Sequence, residues 1–158
     1  MIDPLEMDFT VRCNVDHAFS TFTRRTSLWW PKSHSFSGDP SLEVVIEPRV
    51  GGRIFERTPG GEEHDWGEVT AWEEPQRLSY LWHLGTDRSR ATHVVIEFEP
   101  DGGEATNVRI VHTGWEALGD DAAPWRERNR GGWTGVLEPF RSHAEDGSDR
   151  PESQRSDY

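Results

Sequence analysis

The sequence predicts an α+β domain in which a curved antiparallel β-sheet closes round a single C-terminal helix. Between residues 42 and 115 the chain breaks into short β-prone runs separated by turn residues, the pattern of an antiparallel meander. A later segment, ERNRGGWTGVLEPFRSHA, sets Trp133, Val136, Leu137 and Phe140 at i, i+3, i+4 and i+7, an apolar stripe on one helical face that must be covered. Eight tryptophans in a chain that is only 33% hydrophobic each require burial and a partner for the indole N–H. Either they build the core of a hydrophobe-poor domain or some of them wall a cavity.

The elements follow in order. MDFTVRCNV (7–15) alternates loosely and reads as the first strand. Asp16 is placed to cap the helix HAFSTFTRR, in which Ala18, Phe19 and Phe22 recur at helical spacing. SLWWPKSHSFSGDP then gives a second short helix, with Ser27 as a possible cap and Pro31 as its end, followed by an irregular stretch. Further strands are read in LEVVIEP, RIFERT, HDWGEVTAW, RLSYLWHL, ATHVVIEFEP and ATNVRIVHTGW. Parity places Leu78, Tyr80, Trp82 and Leu84 on one face, and does the same for Val94, Ile96 and Phe98 and for Val108, Ile110 and His112. The facing of 64–72 stays open, because Trp66, Glu68, Thr70 and Trp72 alternate with Gly67, Val69 and Ala71.

Residues 116–126 read as a loop and the Gly131–Gly132 pair as a helix-start signal. Pro139 removes the bond to the Gly135 carbonyl, which predicts a kink or an early end. From His143 the chain has almost no apolar content and five acids against two arginines, which predicts a disordered acidic tail over 143–158 after a domain over 1–142.

Composition narrows the function. A net charge of −12 disfavours nucleic acid and anionic membranes as partners, because both are bound through Lys and Arg. A lone Cys13 gives no disulfide framework, and the acidic N-terminus lacks a signal peptide's basic and apolar regions. A cytoplasmic location is the expectation, with monomer and homodimer both open. No phosphate-binding loop, nucleophile elbow or zinc-helix motif is present, so neither a cofactor nor a metal is expected. His83 and His93 flank one hairpin, but parity puts both on the solvent side without a third ligand.

Taken together, WWPKSHS (29–35), PRVGGRIFER (48–57), WGEVTAWEEPQRLSYLW (66–82), TNVRIVHTGW (106–115) and GGWTGVLEPF (131–140) resemble a known family. The chain is similar, from about Phe9 to Phe140, to the START-like (SRPBCC) superfamily, in the group named after activators of the heat-shock chaperone ATPase. The resemblance implies a helix-grip fold: about six or seven strands wrapped round a long C-terminal helix, two short helices after the first strand, and an internal apolar cavity. It implies less about activity, because the superfamily spans lipid carriers, hormone receptors, polyketide aromatase/cyclases and oxygenase domains. The resemblance is to single-domain bacterial members, which are expected to lack the separate N-terminal module through which eukaryotic activators also engage the chaperone.

Candidate site residues follow. His112 is on the inward face by parity and falls at the family's H-x-G position, where it is either a proton-transfer or ligand group or a structural histidine. Tyr80, Trp82 and Trp133, with Trp29 or Trp30, form either an aromatic box or plain core. His34 and Phe36 lie at the expected cavity mouth, against the alternative of an exposed loop. Glu56 and Glu68 are read as solvated strand carboxylates, with a buried acid as the alternative. The expected ligand-binding set is therefore Trp30, His34, Phe36, Tyr80, Trp82, His112 and Trp133. The leading expectation is a binding domain for a small apolar or aromatic molecule. The rivals are a cyclase- or aromatase-like enzyme using His112, and a co-chaperone-like interaction module with a chaperone partner.

Overall fold

A computed structural model describes residues 3–146. Seven strands form one antiparallel sheet: β1 (Leu5–Val11), β2 (Glu43–Ile46), β3 (Arg53–Arg57), β4 (Glu63–Glu73), β5 (Arg77–Trp82), β6 (Thr92–Pro100) and β7 (Thr106–Thr113). Their order is β1-β7-β6-β5-β4-β3-β2, so β2 to β7 run as a meander and β1 joins beside β7. The chain must therefore cross from one sheet edge to the other between β1 and β2. It does so through α1 (Val15–Arg24) and α2 (Thr26–Trp29), and α3 (Ala122–Asp146) lies along the inner face. This is the helix-grip arrangement.

Parity reads the inner face correctly. Leu78, Tyr80, Val94, Ile96, Phe98, Val108, Ile110 and His112 are all buried. The ambiguous strand, β4, owes its ambiguity to two bulges. Ile54 and Phe55 oppose Gly67 and Asp65, leaving Trp66 as an extra residue, and Val69 and Ala71 oppose adjacent Tyr80 and Ser79, leaving Thr70 extra. Each inserted residue reverses the alternation. Trp66 and Val69 are thus both buried, and Trp72 packs edge-on against Phe19, although no single period of two connects them.

The helices correct several expectations. Asn14, rather than Asp16, caps α1, its side chain accepting from the His17 amide at 2.8 Å. Ser27 caps nothing and instead bridges to the backbone of β2 at Val44. Residues 116–126 are not a loop: short 3₁₀ turns run from Trp115 to Asp121, broken at Gly119, and α3 starts at Ala122. Pro124 then falls in the first helical turn, where a missing N–H costs nothing.

Gly131 and Gly132 are therefore mid-helix, not a start signal, and the helix runs past Pro139 to Asp146 instead of ending early. Its last turns are tied down where a tail was expected from residue 143. The His17 imidazole bonds the Ala144 carbonyl at 3.1 Å, and Glu145 accepts from the Arg12 amide at 2.9 Å. The remainder of that predicted tail, 147–158, lies outside the described residues.

The C-terminal half of α3 packs into the core. Phe140 is fully buried and meets Phe22 and Trp29 at 5.3 and 5.2 Å between ring centroids, and Phe9 edge-on at 6.3 Å. One side chain thereby joins α1, α2 and β1 to α3.

Candidate functional site

A cavity of about 470 Å³ opens between the N-terminal half of α3, the irregular segment after α2 and the end of β5. Trp30, Ser33, His34, Ser35 and Phe36 supply one wall, Trp82, Leu84 and Gly85 a second, and Trp125, Arg128, Asn129, Gly131, Gly132, Trp133 and Val136 the helical third. The residues recur along α3 at 125, 128/129, 132/133 and 136, so a single helical face looks into the space.

The glycines on that face make the room. A Cβ added at Gly131 or Gly132 would meet nothing within 4 Å, whereas one at Gly135 would press on the His34 ring, 2.9 Å from Nε2. Mid-helix glycine costs about 1 kcal/mol relative to alanine. Gly135 is explained by the imidazole lying against it; Gly131 and Gly132 leave open volume.

The mouth segment is held by a carboxylate that sequence reading placed in solvent. Glu56 shares its strand face with buried Ile54 and is itself 0% exposed. It accepts from the Phe36 and Ser37 amides at 2.5 and 3.0 Å, the Ser37 hydroxyl at 2.6 Å and the Trp66 indole at 2.8 Å. Burial alone would raise its pKa, but these donors outweigh burial and hold the carboxyl below the usual range. Beyond this anchor Phe36 is largely exposed, its ring 4.3 Å from that of His64. The outward-facing Phe55 on the same strand is covered by the Arg53 and Arg57 guanidiniums.

Of the seven expected site residues, Trp30, His34, Phe36, Trp82 and Trp133 line the cavity. Tyr80 and His112 do not: both are buried in the sheet-facing core. His112 is 0% exposed and lies 4.3 Å from the Trp115 ring. The Trp133 indole donates to its Nδ1 at 3.0 Å, which fixes the proton on Nε2, and Nε2 donates to the Thr92 hydroxyl at 2.6 Å. The Thr92 hydroxyl passes its own proton toward the Trp82 carbonyl at 3.3 Å. Burial, with a smaller push from His93, lowers the His112 pKa to about 3, so the ring is neutral. It positions Trp133 from behind and presents nothing to the cavity.

The indoles divide in a telling way. Trp29, Trp30, Trp66, Trp72, Trp115 and Trp133 all donate to a protein acceptor. Trp82 and Trp125 donate to none among the described residues, and both line the cavity. Trp125, Arg128 and Asn129 were missed by sequence reading; the signal was present in the helical spacing back from Trp133, once Pro124 is taken as a first-turn residue.

Residues 12–145 match the family described as activator of Hsp90 ATPase homolog 1-like protein. The chain belongs to that family. Among solved structures it is similar to the self-sacrificing resistance protein CalC from Micromonospora echinospora, at 28% identity and a TM-score of 0.72 over 94% of this chain and 97% of that one. It is also similar to the anthrahydroquino-gamma-pyrone synthase Txn09, at 28% identity and a TM-score of 0.60 over 89% and 96% of the two chains. An HSP90 activator from Plasmodium falciparum shares the fold at 18% identity and a TM-score of 0.50, over 70% of this chain and 72% of that one. Comparison with curated proteins returns no match.

Proposed function

We propose that this protein binds a small, flat aromatic or apolar molecule in the cavity beneath α3. The observation that carries the reading is the pairing of space with unused donors: a cavity of about 470 Å³, within the usual range for small-molecule sites, lined by the two indoles that donate to no protein group. Four tryptophans line the cavity, and two of these, Trp82 and Trp125, donate to no protein group among the described residues. The relatives at 28% identity support a small-molecule role, one being a resistance protein and the other a synthase whose structure was solved as a complex. The sheet's outer face favours an interaction module less. Arg109 there is paired with Glu6 and Asp8, and Phe55 lies under two arginines.

The test is native mass spectrometry of protein purified from its own host, followed by calorimetric titration with a panel of aromatic compounds. Binding to the wild type and loss of it in Gly132→Leu, which fills the cavity, is the expected result. Equal binding by both proteins would move the site elsewhere, and an absence of any ligand would end the proposal.

A second reading, a cyclase-like enzyme, is favoured by the likeness to the synthase. Proton transfer would then fall to His34, which faces the cavity, rather than to sealed His112. Turnover lost in His34→Ala with binding retained would mark it; unchanged turnover would remove it.

A further inference from the structure

The lining of the cavity differs from the rest of the molecule in charge. The sequence holds 29 acidic residues, yet none of the fifteen lining residues is Asp or Glu. The lining does include an arginine, Arg128, one helical turn from Trp125. Most arginines of the described residues are committed to carboxylates, as in Arg53 with Asp65, Arg57 with Glu63 and Arg109 with Glu6. Arg128 has no ion pair and no hydrogen bond among the described residues. Its guanidinium instead sits 4.7 Å over the Trp125 ring.

That stacking has a chemical consequence. A cation resting on an aromatic face uses the flat side of the guanidinium and leaves the N–H edge free, and the planar fork is built for carboxylate-like oxygens. Beside it, Asn129 spends an amide N–H on the Trp125 carbonyl at 2.9 Å. The unpaired indole N–H groups of Trp82 and Trp125 add two more donors among the lining residues. The surface is thus rich in aromatic rings and in unused donors, and devoid of carboxylates.

We infer that the cavity selects an aromatic ligand carrying an acidic oxygen function, a carboxylate or phenolate, with its rings among Trp30, Trp82, Trp125 and Trp133 and its anionic end on Arg128. The inference rests on the binding reading above and adds the class of ligand. In an acidic protein long-range repulsion works against an anion, so selectivity depends on local donors, and removing one is felt directly.

Three probes of matched size separate the ideas by calorimetry: 2-naphthoate, neutral 2-acetylnaphthalene and cationic 2-naphthylmethylammonium. The expected order of affinity is naphthoate, then the ketone, then the ammonium. Arg128→Gln should weaken naphthoate by about tenfold, as loss of a charge-assisted hydrogen bond does, and leave the ketone almost unchanged. Arg128→Lys should recover part of the loss, keeping the charge without the fork. The side chain is exposed and bonds to no other residue, so both variants should keep the wild-type melting temperature, measured in parallel. Equal affinity for all three probes, or naphthoate binding unaffected by Arg128→Gln, overturns the anion inference while leaving the cavity reading intact. Binding of none of them overturns both.

Discussion

The two halves of α3 face the same sheet and do opposite things. From Val136 to Ala144 the helix presses Val136, Phe140 and Ala144 into contact with the core, every one of them buried and only Val136 also bordering the cavity. From Trp125 to Trp133 it presents bare glycines, a half-buried indole and an arginine to a cavity. The lesson is that one amphipathic stripe can change from packing to lining within a turn. The transition lies at Trp133, whose ring borders the cavity and whose N–H is fastened to His112 in the core.

The contrast breaks hardest at Phe140. Phe140→Ala removes the ring that joins three elements to the helix and should cost about 3–5 kcal/mol, read by urea denaturation. If the loss is small, the C-terminal half is not the anchor.

The junction at His112 makes a pH prediction. The unfolded chain takes up this proton near 6.5, but the folded ring does so only near 3, so unfolding binds a proton throughout that window. Stability from the neutral ring is complete above pH 6.5 and falls by about 1.4 kcal/mol per pH unit as the pH drops toward 3. In His112→Gln the slope between pH 6.5 and 4.5 should fall by about 1.4 kcal/mol per pH unit, leaving the part owed to His83 and His93, whose pKa values burial also lowers. An unchanged slope in that variant would assign it to other groups.

Smaller effects sharpen the lining half. Glu56→Gln keeps the shape but turns one acceptor oxygen into an NH2 group that faces N–H donors, so the bond to the Phe36 or the Ser37 amide is lost. It should cost about 1–3 kcal/mol and speed amide exchange at 36–37 more than elsewhere. In the wild type the same bonds are present above pH 4.5 and are lost as the pH falls through the depressed folded pKa.

The smallest effects are informative by comparison. Gly131→Ala and Gly132→Ala should each stabilise the protein, by about 1 kcal/mol, because the new methyl meets open space. Gly135→Ala should gain less than either, because its methyl has to displace the end of the His34 ring. Melting temperatures decide, and equal gains at all three positions would dissolve the distinction between room and contact.

Much of the architecture was legible because periodicity carries it. The meander of β2 to β7, the inner-face sets on β5, β6 and β7, and the stripe from Trp133 to Phe140 all follow from spacing; that β1 joins beside β7 does not. The facing of β4 was not, because two bulges add residues whose effect on parity no local composition announces. The start of α3 was hidden by Pro124 and the Gly pair, two breakers that are tolerated here for different reasons, one by position and the other by the cavity. At the site, aromatic residues were found from their strand faces and from the mouth segment. Glu56 was missed because a carboxylate in a strand is ordinarily solvated, although its parity with Ile54 pointed inward. His112 was found as inward, but no spacing could tell a histidine lining the space from one sealed behind Trp133.

The tryptophans have one more consequence, and it is optical. Trp29 and Trp30 lie 5.7 Å apart, Trp30 and Trp66 5.3 Å, Trp66 and Trp82 5.8 Å, and Trp30 and Trp82 6.0 Å. Indoles at such separations exchange excitation energy in both directions, so light absorbed by Trp29 or Trp66 is shared with Trp30 and Trp82 at the cavity wall. An acceptor dye placed beside Trp82 would therefore quench emission from all four.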